Sequence, residues 1–456
     1  ILVDHDRIEP SNLPRQILFG EGDVGRSKAE VAAERLARPG LSARAVVARF
    51  DAGTAPALLA EADVVIDATD GPEAKDFVNA ASVTAGRPLI HAAALGSEGR
   101  VLDVPPHGRP CLACLFGRLA AGGETGDTCA RLGVWPGVAG ATGALAAEAA
   151  LARLVRPDAA SRGLRVLDLA AGRGTTLGAA ADPGCPVCGA HDRDAAARGD
   201  LSAPATASVL DAAPPDVLDL REESCPMNLL RARRAVERAG AGEAVEIWVG
   251  REGAATVPEG LASLGHAVLE RGEVTGGERV LVRRARTARG PALAGTDAWL
   301  RRYARQIVLP EVGEDGQRRW NDARVEVAGT GPALVAFAVH LAAAGVGRLA
   351  IRDDAAVGDR AGRWPFAARD AERPCGEALA EALARHSGVV AEASAALEER
   401  PGVLRARVED VVLERSVGAL AQADGALLAD HAMRRLLLGE RAPPMIAVRA
   451  DATVGR

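Results

Sequence analysis

The residues best suited to chemistry stand at the start of the chain. Ile1–Val3 is apolar, reads as a buried strand, and runs straight into Asp4-His5-Asp6. Ser11-Asn12-Leu13-Pro14-Arg15-Gln16 follows, and Gly25-Arg26-Ser27-Lys28 opens a helical pattern. An acidic strand end can hold ribose hydroxyls, while a fixed amide, guanidinium and ammonium can face the phosphate oxygens of a nucleotide triphosphate. The chain carries 55 Lys plus Arg, of which only two, Lys28 and Lys75, are lysine. Arginine serves nearly every surface cation, so a retained Lys28 suits a compact ammonium on a phosphate. A solvated lysine at a helix start fits the same position. Asp67-Ala68-Thr69-Asp70 ends another predicted strand. Ligands of open α/β sheets gather at the carboxyl ends of strands, which places Asp70 to hold Mg²⁺. Asp63 and Asp67 serve equally well as strand-end caps.

The cysteines form a second chemical set. Cys111-Leu112-Ala113-Cys114 and Cys185-Pro186-Val187-Cys188 are two Cys-x-x-Cys hooks, the pattern of a closed tetrahedral Cys₄ zinc site with a structural role. Cys129 lies between the hooks, and neighbouring Arg131 in a polar loop favours a reactive thiolate over a small buried apolar residue. Cys225 precedes Pro226 at the start of an amphipathic helix. There the orphan amides and the positive helix end are expected to lower its thiol pKa.

These residues need an alternating scaffold. Ile1–Val3, Ala45–Arg49, Asp63–Asp67 and Pro88–Ala92 read as strands, and Lys28–Arg38 and Ala139–Leu154 as helices between and after them. That alternation predicts an α/β domain with a mainly parallel sheet over residues 1–190. Residues 191–215, rich in Ala, Asp, Ser and Pro, read as a linker. Residues 216–286 form a compact unit with strands at Val217–Leu220, Ala244–Val249, Ala267–Glu270 and Arg279–Arg283, and a helix at Pro226–Ala239. A short linker over 287–297 leads to a last unit over 298–456. That unit echoes the first. Leu349–Asp353 resembles Ile1–Asp4, and Pro444–Arg456 resembles Pro88–Arg100.

Bulk properties set outer bounds. A length of 456 residues suits two to four domains, and a net charge of −6 gives no basic field for nucleic acid or anionic membrane. No uninterrupted apolar run of transmembrane length and no secretory signal is visible, and the cysteine pattern suits a reducing, cytoplasmic setting. The chain starts at Ile1, inside a strand, and reads as a truncated piece of a longer protein.

On the motifs quoted, Asp4-His5-Asp6, Ser11–Gln16, Gly25–Lys28 and Asp67–Asp70, the first domain resembles the ThiF/MoeB/HesA family of ubiquitin-activating-enzyme-like adenylyltransferases. The resemblance implies a Rossmann-like fold with a zinc knuckle at Cys111, Cys114, Cys185 and Cys188. It implies ATP, Mg²⁺ and Zn²⁺, and adenylylation of a ubiquitin-like sulfur carrier ending in Gly-Gly. In that light Asp4, with Asp6 beside it, holds the ribose, Asn12, Arg15 and Lys28 contact phosphates, and Asp70 positions Mg²⁺. Cys129 matches the cysteine that forms acyl-disulfide or thioester links in sulfur-transferring members. The family's Gly-rich loop and Arg-bearing first helix have no counterpart in residues 1–190.

Asp219-Leu220-Arg221, Ser224-Cys225-Pro226 and Gly265-His266 resemble the TusA/SirA sulfurtransferases, small two-layer α/β domains that carry a persulfide on this cysteine. A cysteine-desulfurase-type persulfide donor is implied. The family's Cys-Pro-x-Pro has become Cys225-Pro226-Met227-Asn228.

In the last unit, Arg302-Tyr303-Ala304-Arg305-Gln306 and Val325–Gly331 resemble the activating family's opening helix and Gly loop. Pro332 and Leu334 stand where phosphate needs Gly, no lysine follows Lys75, and Asp430-His431 replaces the end of the Asp67–Asp70 motif. This reads as a degenerate, incomplete second Rossmann-like domain, a scaffold or pseudo-dimer partner, with Arg305 expected to complete the first domain's nucleotide site. A homodimer is the other assembly considered. A non-catalytic scaffold for a ubiquitin-like partner and a nicotinamide-dependent oxidoreductase are the rival functions.

Overall fold

The computed structural model describes residues 1–38, 40–119, 133–156, 163–170, 173–189, 214, 217–286, 295–393 and 404–408, the last by backbone alone. Cys129, Asp430-His431 and the Pro444–Arg456 echo lie outside the described residues. The chain divides into two compact units. One draws on Ile1–Leu119, Val134–Gly199 and Asp315–Arg456, the other on Ala120–Gly133 and Asp200–Glu314.

In the first unit, β1 (Leu2–Val3) pairs in parallel with β2 (Ala45–Val46). The strand expected through Arg49 ends early because Asp51 makes a turn. Its Oδ1 takes the backbone N–H of Gly53 at 3.0 Å and of Thr54 at 3.2 Å. The helix Lys28–Leu36 starts at Ser27, whose hydroxyl accepts from the Glu30 N–H. Ile8, Leu13, Phe19, Val31 and Ala32 form the core beneath it.

A separate five-stranded sheet runs β3-β4-β5-β6-β7, made of Val65–Asp67, Leu89–Leu95, Glu98–Val104, Leu164–Asp168 and Arg173–Leu177. Only β3–β4 is parallel, and β4 to β7 are antiparallel. The expectation of parallel pairing therefore holds for β1–β2 and β3–β4, and an antiparallel extension follows. Its first turn is Gly96-Ser97 between paired Leu95 and Glu98, with Gly96 at φ +55°. A Gly-Ser step between apolar runs is a hairpin signal that sequence reading passed over.

The long small-residue helix spans Pro136–Val155 and packs on β4 and β5 through Ala146, Ala149 and Ala150. At 20 residues and a mean hydropathy of 1.4 it is long and apolar enough to cross a bilayer. Its Arg153 is buried and grips Asp103, with Nη2 at 2.7 Å from both carboxylate oxygens. A bidentate ion pair at the sheet surface is the packing of a core helix.

The same unit includes a second sheet of order β14-β13-β12-β15, from Val390–Ala393, Arg348–Arg352, Arg324–Gly329 and Leu404–Val408. All three pairings are parallel, which is the 3-2-1-4 order of a doubly wound domain. The helix Gly331–Ala344 lies nearly fully buried against it. This half packs on the first. Trp320 meets Trp135 edge-on at 5.6 Å, and His386 Nε2 lies 2.9 Å from the Ile17 carbonyl.

The second unit centres on a mixed sheet, β10-β11-β9-β8, from Ala267–Val274, Gly277–Arg283, Ala244–Gly250 and Leu218–Leu220. The helices Met227–Arg238 and Arg251–Ser263 cover it over a core that includes Val236, Ile247, Val257, Leu261 and Val280. The helix Asp297–Ile307, which the sequence reading gave to the last domain, also belongs to this unit. Leu300, Tyr303, Ala304 and Ile307 share a core with Met227 and Leu230. Asp297 accepts from Arg231 at 2.8 Å and Arg234 at 2.5 Å.

Candidate functional site

The acidic strand end and the helix start meet. Asp4 Oδ1 accepts the Asp6 N–H at 2.8 Å, a turn that brings Asp6 over the helix. Lys28 Nζ donates to Asp6 Oδ2 at 2.8 Å, and the Lys28 backbone N–H donates to the Asp6 carbonyl at 3.0 Å. Burial works to raise the Asp6 pKa, but the Lys28 hydrogen bond and charge, with His5 and Arg49, outweigh it and hold the carboxyl below its usual range. An ammonium has three donors, so this pair leaves Lys28 capacity for a phosphate oxygen.

Asn12 and Arg15 serve the adjoining turn. Asn12 is 4% exposed and its Oδ1 accepts the Glu9 N–H at 3.0 Å, while Arg15 Nη1 donates to the Ser11 carbonyl at 2.5 Å. Asp70 is exposed beyond the end of β3 and makes no hydrogen bond or ion pair among the described residues. The structure thus joins Asp4, Asp6 and Lys28 directly and leaves Asp70 on the end of another strand.

Asp67, weighed from sequence as a cap, holds that strand end. It is 2% exposed, its Oδ1 takes the Thr69 N–H at 3.0 Å and hydroxyl at 2.8 Å, and its Oδ2 lies 2.7 Å from His91 Nδ1. Burial opposes ionisation, but the bonds from His91 and Thr69 prevail and depress the pKa. Lys75, the other lysine, donates to the Thr69 carbonyl. His91 was not singled out from sequence and Lys75 was noted there only for its scarcity, although a lysine eight residues past a strand end was the available signal.

The two cysteine hooks come together. Cys111, Cys114, Cys185 and Cys188 place their sulfurs within 4.8 Å of one another. The Sγ–Sγ separations are 3.9 Å for Cys111–Cys114, 3.6 Å for Cys111–Cys185 and 3.3 Å for Cys114–Cys188. A tetrahedron of Zn–S bonds sets sulfurs about 3.8 Å apart. The four residues therefore fit zinc, and no open position remains for a substrate. Asn79, missed from sequence, braces the site. Its Nδ2 lies 3.7 Å from Cys111 Sγ and its Oδ1 accepts the Leu112 N–H at 3.1 Å. Gly108, at φ +77°, lets the chain pass Cys188, where a Cβ would sit 2.5 Å from the Cys188 Cβ.

Cys225 lies just outside its helix, which begins at Met227 with Pro226 as the cap residue. It is 6% exposed, with Sγ 3.1 Å from Asn228 Oδ1 and 3.1 Å from Thr256 Oγ1. The expected drop in thiol pKa does not occur. Burial dominates and pushes the thiol up, aided by Glu252 and opposed by Thr256, Asn228 and Arg305. Asn228, which stands where the motif's second proline was lost, accepts the thiol's hydrogen bond through Oδ1. Arg305 lies within electrostatic reach of Cys225, and both belong to the second unit.

Asp353, likened from sequence to Asp4, is 3% exposed, and Leu334 is fully buried in the Gly331–Ala344 helix. A ribose could not reach that carboxylate as it lies.

An acidic strand end paired with a lysine on a mixed α/β scaffold, a Cys₄ cluster and a separate small thiol-bearing domain define a nucleotide-activating enzyme with a sulfurtransferase module. The ThiF family profile matches residues 1–187, and the sulfurtransferase TusA profile matches residues 216–284. The sulfur carrier protein ThiS adenylyltransferase of Escherichia coli K12 is 34% identical over 197 residues, covering 42% of this chain and 77% of that protein. The SAMP-activating enzyme E1 of Haloferax volcanii is 35% identical over 192 residues, 41% of this chain and 70% of that one. Mouse adenylyltransferase and sulfurtransferase MOCS3 is 42% identical over 149 residues, 32% of each chain. The chain belongs to the ThiF family and carries a TusA domain. Adenylyltransferases of this family use ATP with Mg²⁺.

Proposed function

We propose that this chain adenylylates the C-terminal glycine of a ubiquitin-like sulfur carrier ending in Gly-Gly and couples that activation to sulfur transfer. The observation that carries the reading is the union, on one chain, of a ThiF segment with a paired Asp6–Lys28 strand end and a TusA segment with Cys225 in a polar pocket.

In this reading Asp4 holds the ribose, and Arg15 and Lys28 face phosphate oxygens, with Asn12 fixing the turn that carries Arg15. Asp70 positions Mg²⁺. The carrier carboxylate attacks the α-phosphorus and pyrophosphate leaves, with cations placed where negative charge builds in the transition state. Cys225 receives sulfur from a cysteine-desulfurase-type persulfide donor. The outer sulfur of its persulfide attacks the acyl adenylate and AMP leaves. The Cys129 thiolate then attacks the Cys225 sulfur, releasing the carrier thiocarboxylate and a disulfide that a cellular thiol reduces. Zn²⁺ on the four cysteines pins the two hooks together and takes no part in the chemistry. The last domain serves as a pseudo-dimer partner, a role supported by its packing on the first domain through Trp135 and Trp320. The pathway is molybdopterin, thiamine or related sulfur metabolism in the cytoplasm.

ATP–pyrophosphate exchange dependent on a Gly-Gly carrier tests the reading. Exchange that requires both the carrier and Lys28 is the expected result, and carrier binding without exchange would establish the scaffold alternative.

A further inference from the structure

Two side chains near Cys225, one bonded to its sulfur and one within its electrostatic reach, carry buried donors without partners. Asn228 is fully buried, and its Nδ2 has no hydrogen-bond partner. Arg305 presents Nε and Nη1 that are also buried without partners. Orphaned buried donors are costly and uncommon in folded proteins. The Asn228 amide is bonded to the Cys225 sulfur, Arg305 lies within electrostatic reach of it, and the orphaned groups on both are donors, so the missing group is an acceptor. The Asp297–Ile307 helix is fixed in place by its apolar contact with Met227 and Leu230 and by the Asp297 bonds to Arg231 and Arg234. Arg305 is thus held beside the TusA-like module by the chain's own architecture.

A free thiol does not need such a partner. Cys225 is kept protonated by burial and donates to Asn228 Oδ1 at 3.1 Å. Sulfur loading changes this. The Cys225 thiol first gives up its proton to water, and the thiolate so formed attacks the outer sulfur of a donor persulfide, R–S–SH. A new S–S bond forms, the donor S–S bond breaks, and the donor leaves as its thiolate, R–S⁻, with the proton count unchanged. The product, Cys225–S–SH, reaches about 2 Å farther than the thiol and is the stronger acid, so its terminal sulfur is an anion in a buried site. A buried anion requires a counter-charge.

We propose that Arg305 is a positioning residue for sulfur transfer, supplying the counter-charge for the terminal sulfur of the Cys225 persulfide. The inference rests on the reading of Cys225 as a sulfur carrier. It assigns to the degenerate ThiF-like module's opening helix a role in the neighbouring domain's chemistry.

The experiment uses the full chain as wild type, Cys225→Ser, Arg305→Ala, Arg305→Gln and Arg305→Lys. Each is treated with inorganic polysulfide and alkylated with iodoacetamide over a range of pH, and the Cys225 peptide is weighed by mass spectrometry. The charged groups within electrostatic reach of the sulfur are Glu252 and Arg305, with Thr256 and Asn228 as uncharged partners, so the profile reports their balance. Loss of Arg305 is expected to raise the midpoint of persulfide alkylation by about one pH unit, a ~10-fold loss of reactive anion below it. Arg305→Lys restores most of the shift. Arg305→Gln keeps the apolar stem and repeats the Arg305→Ala result, separating charge from packing. Coincident profiles for wild type and both neutral variants overturn the proposal while Cys225 loading stands. A wild-type Cys225 peptide that takes up no sulfur overturns the carrier reading itself, and the proposal with it.

Discussion

Lys28 reaches across the opening turn to Asp6, Nζ to Oδ2 at 2.8 Å, with the lysine side chain 13% exposed and the carboxylate 52% exposed. A cation that is largely sheltered while its partner faces solvent is accessible from the carboxylate side. That asymmetry favours use of the ammonium by a ligand over use of the pair as a structural tie.

Lys28→Met is therefore expected to lower kcat/KM for carrier-dependent pyrophosphate exchange by about 100-fold, the scale of removing one preorganised charge donor. Melting should hardly move, because a half-exposed ion pair contributes about 1 kcal/mol at most. Thermal denaturation and exchange kinetics on the same preparation check this. A large loss of stability with exchange intact would make Lys28 structural.

The cysteine cluster predicts one zinc ion per chain, bound through Cys111, Cys114, Cys185 and Cys188. Metal analysis of purified protein measures this directly. Cys114→Ser should abolish stoichiometric zinc and destabilise the protein, since zinc binding to a folded Cys₄ site is itself folding free energy. Asn79→Ala should keep the metal but weaken its retention against a chelator by about 10-fold, as expected for a group bonded to a ligand rather than to the ion.

What the sequence disclosed follows from the range over which each feature acts. The hooks, the acidic strand end and the Cys225-Pro226 step are local patterns, and local spacing fixes their chemistry. The antiparallel course of β4 to β7 is decided by pairing across residues far apart, and the Leu95–Glu98 turn was its only local trace. The packing of the helix that carries Arg305 is likewise set at long range. Its motif marks an opening helix, but the apolar face formed by Leu300, Tyr303 and Ile307 found a partner in Met227 and Leu230. The Cys225 pKa was misjudged because a helix-end argument sees the positive end and not the burial, and at 6% exposure burial wins.

His340 sets a pH dependence. It lies 2% exposed in the Gly331–Ala344 helix, its Nδ1 has no partner, and burial lowers its pKa to about 4. The unfolded chain binds this proton near pH ~6.5, so below that point protons favour the unfolded state. Stability is expected to fall as pH drops from 6.5 toward 4. His340→Met should flatten that limb while staying within about 1.5 kcal/mol of wild type at neutral pH. Urea denaturation at a series of pH values measures both, and an unchanged acid limb would exclude His340 as its cause.

Asp67 and Asp70 separate architecture from chemistry on one strand end. Asp67 is buried against His91 and Thr69, and its lowered pKa means that its stabilising contribution is complete above the unfolded value of about 3.9 and is lost as pH falls below it. An ionised carboxylate only accepts, so His91 Nδ1 is the donor in this bond. Asp67→Ala should cost about 3 kcal/mol, the scale of stranding one member of a buried pair. It should also raise the Mg²⁺ concentration needed for half-maximal exchange, because the Thr69 turn that carries Asp70 loses its anchor. Asp70→Ala removes an exposed side chain with no bond among the described residues, so it should raise the Mg²⁺ requirement by at least as much and leave the urea midpoint unchanged. Paired Mg²⁺ titrations and urea curves on the two variants decide between these roles. Equal stability losses would assign Asp70 to the fold, and an unaltered Mg²⁺ requirement in Asp70→Ala would remove it from the metal site.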